Sequence, residues 1–180
     1  MKLKFILAAC VLAACSPESA QTTGAGPEQG APPAAETAPG LLAQFASPEG
    51  EVCYSRAYDD AHLAAHPNQT VQVFWIAPPD EAFRAINTPE LTHVGFGYIL
   101  RDVMDTFTGI GICREEGERA ACDVEGDGGQ FTIARNGAGL RVEIARMQVE
   151  GQETVSDDLA EGDNRVILLS PGQPGDCLPD

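Results

Sequence analysis

Lysine is almost missing from this chain. Of 180 residues only Lys2 and Lys4 are lysine, leaving nine arginines as the other strong cations against 27 acidic residues. So little positive charge provides no basic footprint for a phosphate backbone, which excludes a nucleic-acid partner. It also repels anionic lipid headgroups. Long apolar runs are missing too. A helix needs roughly 20 apolar residues to cross a bilayer, and the run Phe5 to Ala14 has ten. No C-x-x-C spacing of the kind that structural zinc sites use is present. There is no G-x-S-x-G elbow and no phosphate-cradling glycine loop. These absences leave no motif on which to build catalysis, and no cofactor is implied.

What is present begins at the first residues. Lys2 and Lys4 precede the run Phe5 to Ala14, and small residues lead into Cys15. A basic stretch, a short apolar run and a small-residue cleavage site are the parts of a secretory signal peptide. A buried core helix fits poorly, because the segment has no polar face. The four residues Leu12-Ala13-Ala14-Cys15 resemble the lipobox of bacterial lipoproteins. That resemblance implies cleavage before Cys15, a diacylglycerol on its thiol and an acylated new amine. Plain secretory cleavage near Ala14 is the alternative. Two or three acyl chains anchor stably where one does not, since each buried CH2 contributes about 0.8 kcal/mol. Ser16, where an Asp would mark retention, is similar to lipoproteins passed on to the outer membrane. The expected address is the cell envelope, lipid-anchored and facing the periplasm.

Residues 15–40 read as a tether. Pro17, Pro27, Pro32, Pro33 and Pro39 alternate with small and polar residues, and no large apolar side chain occurs. Such a segment buries too little to offset the entropy of ordering it. As a flexible chain it would reach about 25–30 Å on average. Residues 41–180 have the size of one domain with a real core. Without Lys2 and Lys4 the formal charge falls from −16 to −18.

Cys10 leaves with the signal and Cys15 takes the lipid, so Cys53, Cys113, Cys122 and Cys177 remain. In an oxidising compartment an even set most often forms disulfides. Of the three possible pairings, Cys113–Cys122 with Cys53–Cys177 is preferred. The first closes a hairpin around the polar turn 115–120. If Arg114 faces Ala121, the two cysteines face each other across the ladder. The second ties the first strand to the last residues.

Strand signals dominate the domain. Thr70 to Ile76 is rich in β-formers and stops at Pro78-Pro79. Val94, Phe96, Tyr98 and Leu100 alternate with glycines. Phe131 and Ile133 lead into the turn Asn136 to Gly139, and Leu140, Val142 and Ile144 run back. The phase then slips to Ala145 and Met147, which predicts a β-bulge near Arg146. Arg165 to Leu169 is a last strand. Short helices are expected over Asp59–His66 and Asp80–Ile86, each with an acidic start. About seven short strands with one or two short helices make an all-β fold, an antiparallel barrel or sandwich.

His62 and His66 lie four apart on one helical face, the spacing of two imidazoles on one metal. Leu63 stands where a metalloprotease needs Glu. A packing or surface role is therefore the default, with His93 or a carboxylate as the remaining way to complete a site. Asp123 to Gly129 alternates carboxylates before glycines, yet Ala134 stands where a calcium loop needs its closing Glu. Asp157, Asp158, Glu161 and Asp163 form a second acidic loop. Both read as solvated turns.

Cys53-Tyr54-x-Arg56-x-Tyr58 and His62-Leu63-x-x-His66-Pro67-x-Gln69 resemble the opening of small secreted proteobacterial domains. The stretch from Cys113 to Cys122 and on to Phe131 is similar as well. The likeness implies no activity, but it places His62 and His66 in one motif. Three roles follow as expectations. The first is a non-catalytic module contacting another envelope component. The second is a carrier using a barrel mouth or the His62/His66 pair. The third is an inhibitor of a cationic hydrolase such as lysozyme, by charge complementarity.

Overall fold

In the computed structural model the described residues are 40–47 and 52–177. The expected signal, the lipidation site Cys15 and nearly all of the tether lie outside them. Eight antiparallel strands close into one barrel in which every strand pairs with its neighbours in sequence. They are β1 (Tyr54–Ala57), β2 (Val71–Ala77), β3 (Thr92–Leu100), β4 (Thr106–Glu116), β5 (Arg119–Val124), β6 (Gly129–Asn136), β7 (Gly139–Met147) and β8 (Val166–Pro171). Three short helices accompany them: α1 (Ala43–Ala46), α2 (Asp60–Ala65) and α3 (Glu81–Ala85). The all-β reading stands, and the barrel is the form it takes.

Alternation explains why these strands close around a filled interior. Val94, Phe96, Tyr98 and Leu100 point inward from β3, and Phe107 and Cys113 do so from β4. Phe74 and Ile76, Phe131 and Ile133, Leu140 and Val142, and Ile167 and Leu169 complete the lining. An eight-stranded barrel is just wide enough for such side chains to fill it. The rings fit because glycines face them. A Cβ on Gly109 would lie 2.6 Å from the Phe96 ring, and one on Gly111 would lie 2.8 Å from Phe131. Leu41, Leu42 and Phe45, on and before α1, join the core at one end. Leu63, Met147 and Leu159 are buried at the end where β3 finishes and β4 starts.

The predicted bulge is real. Gln130 faces Arg146 while Phe131 faces Ile144, so Ala145 is the extra residue. Beyond it, residues 148–165 return across the barrel end. Asp105 pins this return: its carboxylate accepts from the backbone N–H groups of Thr106, Gln152, Glu153 and Thr154. Those N–H donors hold its carboxyl below the usual range.

Both disulfides pair as the sequence reading prefers, Cys113 with Cys122 and Cys53 with Cys177. Cys113 and Cys122 are directly opposed across β4 and β5, with Cα atoms 4.0 Å apart. Cys53 and Cys177 lie outside the barrel wall in a separate cluster with Trp75, Val73, Ala77 and Ile99. Trp75 lies flat there because its neighbour is a glycine; a Cβ on Gly97 would strike its ring at 2.2 Å.

Candidate functional site

The barrel closes unevenly. β3 and β4 share eight registered pairs, Thr92↔Cys113 to Ile99↔Thr106. β1 and β8 share two, Tyr54↔Pro171 and Ser55↔Ser170. Past Ser55 the two strands part, and a cleft of about 530 Å³ opens between them under α2. Arg56, Tyr58, His62, His66, Gln69 and Arg165 line it, with Asp163, Val166 and Leu168.

Each of these side chains is held for a local reason. Asp59 caps α2 by accepting from the His62 N–H at 2.7 Å, a common use of Asp at this position. Leu63 is buried below the helix, and Arg101 donates to the carbonyls of Leu63 and Pro67 at its far end. The opposite face, carrying His62 and His66, therefore turns to the cleft. On the other side, buried Asn164 fixes the entry to β8. Its Oδ1 accepts from the N–H groups of Thr70 and Val71, and its Nδ2 donates to Thr70 Oγ1 and the Glu161 carbonyl. That anchor sets Asp163 and Arg165 on the rim.

One wall is a continuous stack. The Arg56 guanidinium sits 4.9 Å from the centre of the Tyr58 ring. Tyr58 stacks on His62 at 4.7 Å, and His62 on His66 at 4.4 Å. Burial pushes the Tyr58 phenol above its ordinary value, and the neighbouring Arg56 charge works against that rise. Gln69 sets the His62 tautomer. Its Nε2 donates to the Val71 carbonyl, so its Oε1 accepts, and His62 Nε2, 3.0 Å away, carries the proton.

This geometry differs from a chelate. With His62 Nε2 committed to Gln69, only its Nδ1 has a free lone pair. Lone pairs of two stacked rings run side by side rather than converging. Among the described residues no group of three His, Cys, Asp or Glu side chains comes together as a metal set. His93 cannot join, since it is buried at the start of β3, at the opposite barrel end, and bound to Asn87 Oδ1 through Nδ1.

One carboxylate in each acidic stretch is taken up by structure. Asp123 bridges Arg114 at 3.2 Å and accepts from Gln130 at 2.9 Å. Asp158 accepts from the Met147 and Ala160 N–H groups.

Sequence reasoning found His62 and His66 and quoted Arg56, Tyr58 and Gln69 in a motif. It missed Asp163, Asn164 and Arg165 as partners of that motif, and the outward turn of Val166 and Leu168. The available signal was the alternation of β8, in which Ile167 and Leu169 take the core positions.

The fold and site define a disulfide-bonded, closed eight-stranded meander barrel with a cationic seam cleft. In comparisons with known proteins, no family model, curated protein or solved structure matches this chain.

Proposed function

We propose that this protein is a lipid-anchored component of the bacterial envelope. It is held through Cys15, faces the periplasm from the outer membrane, and works by contact with another envelope component rather than by catalysis. The observation that carries the contact reading is the filled barrel. Phe74, Tyr98, Phe107, Ile133 and Ile167 occupy the interior with at most 1 % exposure, so recognition falls to the outer surface. On that surface the seam cleft combines cations, an aromatic wall and apolar side chains. The order of basic, apolar and lipobox residues at the start supports the anchor. Two disulfides suit an oxidising compartment.

The test is a photo-crosslinking residue placed at Leu168 of the full-length chain in intact cells, with Thr108 on the outer face of β4 as the control position. A specific adduct from position 168 and none from 108 is expected. Cys15→Ser should move the chain out of the membrane fraction and abolish the adduct. Equal labelling from both positions, or membrane retention of Cys15→Ser, overturns the reading.

A further inference from the structure

Resting on that reading, we propose that the seam cleft docks an extended peptide segment of the partner that presents a carboxylate beside an apolar side chain. Charge is the first argument. The ion pairs Arg114–Asp123 and Arg141–Glu143 form on the barrel wall, and neither involves the cleft. Arg165 is exposed, and while its carbonyl accepts from the Ile144 N–H, its guanidinium makes no hydrogen bond or ion pair with the described residues; Arg56 contacts the Tyr58 ring and no carboxylate. Other arginines also lack an ion pair, but Arg84, Arg101 and Arg146 donate to backbone carbonyls, whereas Arg56 and Arg165 bring two guanidinium groups with donors to spare into one cleft that holds a single carboxylate, Asp163. Another depression, lined by Glu116, Glu118, Glu143, Arg119 and Arg141, has more carboxylates than cations. A planar guanidinium meets a carboxylate with two parallel hydrogen bonds, so two of them select that group over a point charge.

The apolar part follows from β8. Val166 is 38 % exposed and Leu168 48 % exposed, two of five large apolar side chains left open among the described residues. Both border the arginines in the same cleft. Backbone is the third element. Residues 166–169 pair with β7 on one side, while the registered pairs to β1 begin only at Ser170. The side of β8 facing the cleft thus lacks ladder partners, which an extended peptide supplies by strand addition. Asp163, the one carboxylate in the lining, leaves the two arginines in excess. The net negative charge of the protein does not forbid this docking. Exposed charges beyond about 8–10 Å are largely screened at physiological salt, while contacts inside the cleft are not.

The probe is the peptide acetyl-Leu-Val-Leu-Asp with a free terminus, titrated into the full-length chain and followed by heteronuclear NMR. Its comparison is the charge-free acetyl-Leu-Val-Leu-Asn amide. Shifts confined to Arg56, Tyr58, His62 and Arg165 to Leu168 are expected, with the charge-free peptide at least about tenfold weaker, or 1.4 kcal/mol. R56Q and R165Q should each weaken binding about tenfold; the melting temperature should not move in R165Q, whose exposed guanidinium has no partner, and should fall only slightly in R56Q, which loses the contact with the Tyr58 ring. Equal binding of the two peptides, shifts elsewhere, or saturation of the cleft by inorganic phosphate or phosphatidylglycerol vesicles in place of peptide overturns the proposal. A position-168 adduct in cells with no peptide response would sink this inference and leave the contact reading standing. Loss of the adduct itself would remove both.

Discussion

The wall from β3 to β7 and the seam between β8 and β1 solve the same problem differently. In the wall, long strands share six to eight registered pairs at each junction, and the core packs behind every one. At the seam two pairs suffice, because other devices take over. The Cys53–Cys177 disulfide crosses the closure, the Gly172 N–H donates to the Cys53 carbonyl, and Trp75 packs beneath. Where the backbone ladder carries the closure, the outer face is free of demands. Where covalent and packing contacts carry it, backbone and cations are left over, and the cleft lies there.

This contrast can be broken first at the disulfides. In the chain-entropy model the 124-residue separation of Cys53 and Cys177 is worth about 5 kcal/mol, and the 9-residue separation of Cys113 and Cys122 about 2.5 kcal/mol. Replacing Cys53 and Cys177 together by Ser should therefore cost about twice as much stability as replacing the hairpin pair, read from denaturant midpoints. Amide exchange should rise in β1 and β8 and stay slow in β4 to β6. Uniform loosening would show that the seam is no separate unit.

A smaller effect tests the wall. Gly111→Ala places a methyl against the Phe131 ring in a filled interior, and overpacking of this kind costs about 1–3 kcal/mol. The same substitution at Gly117, where no atom lies within 4 Å of a Cβ but φ is +68°, should cost only about 1 kcal/mol through the backbone. Calorimetry of the two variants compares packing with conformation.

The mildest test is alkaline. Burial pushes the Tyr98 phenol from 10.0 up to about 12, with Ser156 Oγ at 2.6 Å as its partner. Its folded value is raised, so its contribution is whole below pH 10.0 and is lost as pH climbs toward about 12. Tyr98→Phe should flatten that part of the stability curve, at the cost of about 1 kcal/mol for the hydrogen bond at neutral pH. An unchanged alkaline slope would contradict the assignment.

Much of the wall was legible in the sequence, because period-two alternation and turn residues are local. The β6–β7 hairpin, the slip at Ala145 and the facing cysteines of β4 and β5 were all written within short windows. The helices α2 and α3 were legible from their acidic starts; Asp59 and Asp80 cap them. By contrast, β1 is four residues long with no clear alternation, and α1 has no capping side chain, so neither left a period to read. The choice between barrel and sandwich rested on the pairing of β1 with β8, a contact between the two ends of the domain. For the same reason the site was half visible. Its helical half showed as a spacing of four, while Asn164 and Arg165 come from the far end of the chain and carry no motif.

Because Cys53 and Cys177 are bonded, the barrel is a covalent ring with two tails. Any single cut between them, at the exposed turn around Gly137 for instance, leaves one molecule under non-reducing conditions, heavier only by the water added in hydrolysis. A protease that nicks one turn therefore releases no fragment, and new chain ends could be opened at that turn with the old ones still joined.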